Sequence, residues 1–558
     1  MLDRRAVLTY FAGIGLGSTL LPGALWASLA AGADISAQTI AAAAEVAGLE
    51  FDDDERAMMV DGLKEQAGRL EALHAVALSH TTAPALVFDP LPPGQEPDRT
   101  QRPLAPARIA LPAVPGNLDD LAFRTVPELA ALVQARKVTS TQLTRLYLER
   151  LQTHDPLLQC VVTLTTERAL RQARAADEEI ARGRYRGALH GIPWGAKDLL
   201  AVAGYPTTWG AEPYVHQRFA EDATVVRRLD DAGAVLVAKL TLGALAMGDI
   251  WHGGRTRNPW KLEQGSSGSS AGSASATAAG LVGFSIGSET LGSISSPSTR
   301  CGVTGLRPTF GRVPRTGAMA LSWSMDKLGP ICRGVEDAAL VLAAIHGPDG
   351  HDNSVRAAAF NWDAGVHPSQ LRVGYVRGAF ERDYPNRAFD ARSLDVLRSL
   401  GTTLVPVEVP DVAYDAMRII LMSEAAAAFD DLTRSGRDAE LKEQGPGAWP
   451  NAFRVARFIP AVDYVNANRL RSVAIARWAE LMRTVDVIVA PTSSSQLLAT
   501  NLTGHPAVIL PNGFREDGTP VSITFLGGLY QEASMLAVAR AYQQATDFHT
   551  RHPTLPPS

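Results

Sequence analysis

The chain has 558 residues, 46% of them hydrophobic and 20% charged, which is long enough for one large core with an appendage. Its 53 basic and 58 acidic residues leave a formal charge of −5 with no basic stripe, so the electrostatic footprint of a nucleic-acid binder is missing. Three cysteines, Cys160, Cys301 and Cys332, leave no paired disulfide framework, and twelve histidines without His-x-His or His-Glu-x-x-His spacing give no support to a metal site.

Residues 1–33 read as a targeting segment. Arg4 and Arg5 precede Leu8, the next charge is Asp34, and Ala31-Gly32-Ala33 offers an A-x-A-like cleavage site. The segment resembles a twin-arginine export signal, with Asp3 where Ser or Thr is usual. It implies an exported, periplasmic protein with no stable membrane insertion once the signal is removed; its length also allows an uncleaved membrane anchor.

Residues 34–83 carry helical periodicity on either side of an acidic break, Asp52-Asp53-Asp54-Glu55. Ile40, Ala44 and Ala47, then Met58, Leu63, Leu70, Leu73 and Val76, mark apolar faces, so two helices are expected. The run AAAAEVAGLEFDDDERAMMVDGLKEQAGRLEALHAV resembles the small partner subunit of bacterial glutamyl-tRNA amidotransferases. That likeness implies a fused partner packed on the catalytic domain; an ordinary helical cap is the alternative. Residues 84–116, with DPLPPGQEPDR and RPLAPARIALPAVPG, are too proline-rich for helix or sheet and read as an extended connector.

From residue 117 to 558 one catalytic domain is expected. Thr125-Val126-Pro127-Glu128 is a capping-box pattern with proline in the first turn, opening a helix expected to run to about Thr153. A second helix is expected over 166–182. Helices then alternate with β-branched runs near 234–238, 281–286, 372–375, 403–409 and 485–489. This alternation argues for an α/β fold, a mixed sheet covered by helices on both faces. Asp517-Gly518 reads as a hairpin turn ahead of VSITFLGG.

Chemistry concentrates in two places. Lys197 follows the apolar run LHGIPWGA, a setting that would desolvate its amine and discharge it. Lys239, in AVLVAKLTLGALAMG, is the rival base and reads as structural support. The stretch 265–307, GSSGSSAGSASATAAGLVGFSIGSETLGSISSPSTRCGVTGLR, brackets an apolar run with two Ser/Gly clusters, a backbone suited to close approach. A flexible linker is disfavoured by apolar Leu281 to Ile286, and a phosphate loop lacks its Gly-Lys-Ser/Thr ending. Gly268, Ser270 and Gly272 fit Gly-x-Ser-x-Gly, but the preceding KLEQGSS does not read as the strand a nucleophile elbow needs, so Ser270 is set aside as a nucleophile.

Taken together, these motifs resemble the amidase signature family of serine hydrolases. The family's Gly-Gly-Ser-Ser-Gly-Gly-Ser run matches Ser267 to Ser273, its Gly-Gly-Ser matches Leu291-Gly292-Ser293, and its Gly-Ile-Pro-x-x-x-Lys-Asp matches Gly191 to Asp198. The resemblance implies a Ser-Ser-Lys triad of Ser293 as nucleophile, Ser269 as relay and Lys197 as base. It also implies an α/β sandwich. Consecutive N–H groups of Thr290, Leu291, Gly292 and Ser293 would converge on an oxyanion. Asp326, in LSWSMDKLGP, would support that turn.

Three positions depart from the family pattern: Glu289 stands for the usual Asp, Leu291 for the first glycine and Ser295 for an arginine. They put the turn's shape and charge support in question, and Leu291 must keep an ordinary backbone conformation.

The implied activity is hydrolysis of a linear amide through a serine acyl-enzyme, with no cofactor and no metal. The alternatives are an ester or carbamate hydrolase with the same triad, or a catalytically silent assembly subunit. Trp194, Trp251 and Met247 are the candidate substrate contacts. The expected partner is a small-molecule amide, no nucleic acid is expected, and a homodimer is left open. Gly243-Ala244 replaces the Asp-Glu of the tRNA-amidotransferase relatives, which argues against cytosolic transamidation.

Overall fold

The computed structural model describes residues 35–47, 49–76, 80, 82 and 84–556; the export segment expected over 1–33 lies outside the described residues. Two helices open the described chain, α1 (Ala37–Ala47) and α2 (Asp53–His74). Ile35 and Ile40 are buried, whereas Met58 on α2 is exposed. The proline-rich connector runs extended. It is held to the body by Ala105 N–H on the Trp362 carbonyl (2.9 Å) and Arg102 N–H on Asn361 Oδ1 (2.7 Å).

The helix expected to run unbroken from Thr125 is instead two, α3 (Val126–Gln134) and α4 (Ser140–Leu158). Arg136 takes a left-handed conformation (φ 54°), and Thr139 starts the second helix by accepting the Gln142 N–H at 3.0 Å. The capping box at Thr139 and Gln142 was the readable signal of that second start. The next helix, α5 (Thr166–Ala181), lies where its periodicity placed it.

Eleven strands form one mixed sheet: β1 (Val161–Leu164), β2 (Pro193–Lys197), β3 (Val235–Leu240), β4 (Phe284–Glu289), β5 (Thr304–Arg307), β6 (Lys327–Cys332), β7 (Val373–Val376), β8 (Leu404–Val407), β9 (Val487–Pro491), β10 (Ala507–Phe514) and β11 (Pro520–Gly527). Their spatial order is β1-β3-β2-β4-β6-β5-β10-β11-β9-β7-β8. Asp517 and Gly518 turn the β10–β11 hairpin, Gly518 at φ 78°. Residues Lys261–Gly265, which did not read as strand, form the longer arm of a small two-stranded hairpin with Arg257–Asn258. Cross-strand pairing overrides their weak β propensity.

The centre of the sheet positions the chemistry. β2 runs parallel to β4, with Trp194 opposite Phe284 and Ala196 opposite Ile286, and β6 runs antiparallel to β4, with Lys327 opposite Glu289. Side chains alternate along a strand. Trp194 stacks on Phe284 at 6.0 Å, and both join Ile286 in the main apolar core on one face. On the other face lies α6 (Ala271–Ala278), built of AGSASATA. Such small residues let a helix sit close to the sheet, and their buried hydroxyls must find acceptors. Ser273 Oγ donates to the Ile286 carbonyl at 3.1 Å, and Ser285 Oγ to the Ser273 carbonyl at 2.9 Å. A Cβ at Gly287 would stand 2.8 Å from Ser270 Oγ, so glycine is required there for the approach.

Candidate active site

Lys197, the last residue of β2, is fully buried on the helix-covered side of the sheet, and its Nζ donates toward Ser269 Oγ (2.8 Å), Ser270 Oγ (3.0 Å) and Ser288 Oγ (2.8 Å). Burial holds its amine well below an ordinary lysine, while the charges of Asp326 and Glu289 pull the other way. A neutral amine has two N–H groups and one lone pair. One of the three surrounding hydroxyls must then give its proton to the nitrogen.

Ser270 is not that donor. Its hydroxyl donates to the Ser288 carbonyl at 3.0 Å and accepts the Ser288 N–H at 3.1 Å. The β2–β4 register ends at Ala196 and Ile286, and Ser270 satisfies the peptide groups that β2 no longer reaches. Ser269 and Ser288 remain as proton donors to Nζ. Neither Ser270's closeness to Lys197 nor the presence of Ser288 emerged from the sequence, because both depend on where α6 sits against β4.

Ser293 follows β4 by a short turn. Ser270 N–H donates to the Ser293 carbonyl at 3.1 Å, which fastens the second Ser/Gly cluster to the first. Among the described residues, no group hydrogen-bonds the Ser293 hydroxyl, and the N–H groups of Thr290, Leu291, Gly292 and Ser293 have no protein acceptor. Gly292 takes the left-handed conformation the turn needs, φ 90°, and Leu291 keeps negative φ. The substitution at Leu291 is therefore accommodated by placing the turn's special residue one position later.

The charge support in question at Ser295 comes from elsewhere. Glu289 is fully buried and accepts Arg307 Nη1–H (2.8 Å), Asn501 Nδ2–H (2.8 Å), the N–H groups of Ile294 (2.9 Å) and Ser295 (2.8 Å), and the Ser295 hydroxyl (2.8 Å). Arg307 continues to Thr500 Oγ1 (2.7 Å) and the His505 carbonyl (3.0 Å). Burial by itself would raise the Glu289 pKa, but Arg307 outweighs it and holds the carboxyl at about 2. Asp326 accepts Thr290 Oγ1–H (2.5 Å) and the N–H groups of Leu321 (2.8 Å) and Ser322 (3.0 Å), bracing the other side of the turn. Lys239 pairs with Asp198 at 2.7 Å inside the core.

A cavity of about 680 Å³ opens beside this cluster. Ser288, Thr290 and Asp326 stand at one end and connector residues 84–88 at the other. The three candidate substrate contacts do not line it. Trp194 is three positions from Lys197 on β2, so strand alternation sends its indole to the opposite face and into the core. Trp251 packs edge-on to His252 at 4.7 Å, and Met247 lies half-buried against the core. Phe219, Met319 and Trp323 are cavity walls that the sequence did not single out.

The family profile described as Amidase matches residues 142–500. The amidase-like component of the glutamyl-tRNA(Gln) amidotransferase of Chloroflexus aggregans is 34% identical over 490 residues, covering 78% of this chain and 99% of its own. The structure of peptide amidase from Stenotrophomonas maltophilia superposes with a TM-score of 0.68 at 32% identity, covering 79% of this chain and 99% of that one. A structure from a vestigial protein complex, described as revealing the origins of an s-triazine catabolic enzyme, superposes at 0.69 with 29% identity, covering 75% of this chain and 98% of that one.

Proposed function

The chain belongs to the amidase family, and from that premise we propose that it hydrolyses a linear amide through an acyl-enzyme on Ser293, with Ser269 and Lys197 moving the proton. The observation that carries this reading is the buried, discharged Lys197 at hydrogen-bond distance from Ser269, beside a turn whose four N–H groups find no acceptor among the described residues.

In the proposed sequence the Ser293 hydroxyl attacks the amide carbon, and its proton passes to Ser269 as Ser269 gives its own to Lys197 Nζ. The carbonyl oxygen, now negative, meets the N–H groups of the 290–293 turn. Collapse breaks the C–N bond, and the proton returns from Lys197 through Ser269 to the leaving amine. Water then attacks the ester by the same route, freeing the acid and restoring Ser293.

The 34% identity to an amidotransferase component supports a second reading, in which the nitrogen released is handed to an acceptor instead of being lost. The Arg4-Arg5 segment supports export of this chain, a setting that favours hydrolysis over the transfer reading.

The test is mass spectrometry after fluorophosphonate treatment of the wild type and of Ser293→Ala, Ser270→Ala and Lys197→Ala. One adduct on Ser293, lost in its alanine variant and slowed without Lys197, is expected. An adduct on Ser270 or Ser288 would reassign the nucleophile, and no adduct in folded protein would point to a catalytically silent chain.

A further inference from the structure

The connector is pinned at two points with the cavity between them. At one, His80 Nε2 accepts the Ala320 N–H at 3.0 Å and Nδ1 donates to the Ala428 carbonyl at 3.1 Å, with the ring 4.5 Å from that of Trp209. At the other, Phe88 packs edge-on against Phe310 at 5.0 Å and lies beneath the Arg471 guanidinium at 3.4 Å. Between the pins, Leu86 and Val87 line the cavity yet stand 79% and 52% exposed. Two large aliphatic side chains are thus held open on the wall of a pocket by a segment anchored on both sides of them.

The rest of the lining narrows what can cover them. Its charged groups are already engaged: Arg315 with Asp352 (3.0 Å), Asp222 with Arg168 (2.7 Å), Arg227 with Glu221 (4.0 Å) and Asp326 with the 290–322 turn network. Apolar Leu199, Phe219, Met319 and Leu328 fill the space between. No carboxylate or guanidinium of the lining is left to bind an ionic substrate.

We propose that Leu86 and Val87 are specificity-determining residues that select an uncharged amide bearing an alkyl or aryl group several carbons long. The inference rests on the acyl-enzyme reading of the cavity. Both residues precede residue 142, where the family match begins, so this wall belongs to the chain's own N-terminal addition.

The test compares labelling rates of Ser293 by fluorophosphonates carrying an ethyl, an octyl or an ω-carboxyoctyl group, in the wild type and in the double variant Leu86→Ser/Val87→Ser. Both side chains are exposed, so the variant keeps its fold. In the wild type the octyl compound is expected to react about tenfold faster than the ethyl and at least about fivefold faster than the carboxyoctyl. The double variant is expected to lose most of the octyl preference with an unchanged ethyl rate. An octyl preference unmoved by the double substitution, or a faster carboxyoctyl compound, would overturn the proposal. If no compound labelled Ser293 in the wild type, the acyl-enzyme reading would fall first and take this inference with it.

Discussion

Arg307 donates Nη1–H to Glu289 Oε1 at 2.8 Å, and both side chains are completely buried. Removing one partner of such a pair leaves a stranded charge. Arg307→Met is therefore expected to cost about 3–5 kcal/mol, read as a lower denaturant midpoint with an unchanged slope. Arg307→Lys should recover little, since one ammonium cannot reach Glu289, Thr500 and the His505 carbonyl together.

The same pair sets an acid limit. Glu289 is ionised down to about pH 2 in the folded chain and ordinary when unfolded. Its stabilising contribution is then complete above the ordinary glutamate range and is lost as pH falls toward 2. Calorimetric scans should show a Tm that declines across that window, and Glu289→Gln should flatten the decline while lowering Tm at neutral pH.

Lys197 gives activity the opposite edge. Its amine must be neutral to accept a proton, so the rate of Ser293 labelling is expected to rise with pH through a midpoint well below that of an ordinary lysine. Lys197→Arg stays protonated and should lower the rate by about a thousandfold or more at every accessible pH. A flat pH profile in the wild type would remove Lys197 from the proton path.

Ser270 separates support from chemistry. Ser270→Ala leaves the Ser288 N–H and carbonyl without their partner, at about 1–3 kcal/mol. Labelling of Ser293 should slow by about tenfold and still give a single adduct. Loss of all labelling in a folded variant would contradict the supporting role.

At Gly292, a Cβ would meet only Leu497 Cδ2, at 3.6 Å, so Gly292→Ala is sterically allowed and its cost is conformational. About 1 kcal/mol of stability is expected to go. The tilt of the turn's N–H groups should lower kcat by about ten- to a hundredfold with little change in KM. Leu291→Gly, where φ is already ordinary, should leave kcat within about twofold.

Much of this was legible in the chain itself. Lys197 behind an apolar run announced a buried amine, and glycine against leucine at 292 and 291 told which residue would take positive φ. The Glu289–Arg307 pair was not legible, because a local reading looks for the cation beside the carboxylate, and here it arrives from the next strand but one in the sheet. Trp194 was misplaced for a simpler reason. Without recognising Pro193–Lys197 as a strand, nothing shows that positions 194 and 197 face opposite ways. The break after α3 escaped notice because its capping signal, Thr139 and Gln142, sits inside a stretch of continuous helical periodicity.

The seam of the sheet, where β5 meets β10 through Arg307 opposite Ala507 and Gly305 opposite Ile509, matters for biosynthesis. A ribosome that has emitted β6 has already made Lys197, the hydroxyls around it and Ser293. Asn501, Thr500 and His505, which clamp Glu289 and Arg307, are still to be translated. The turn that aims the reactive serine is thus closed by the end of the chain, and a truncated or stalled product carries the full set of reactive groups without the frame that aligns them.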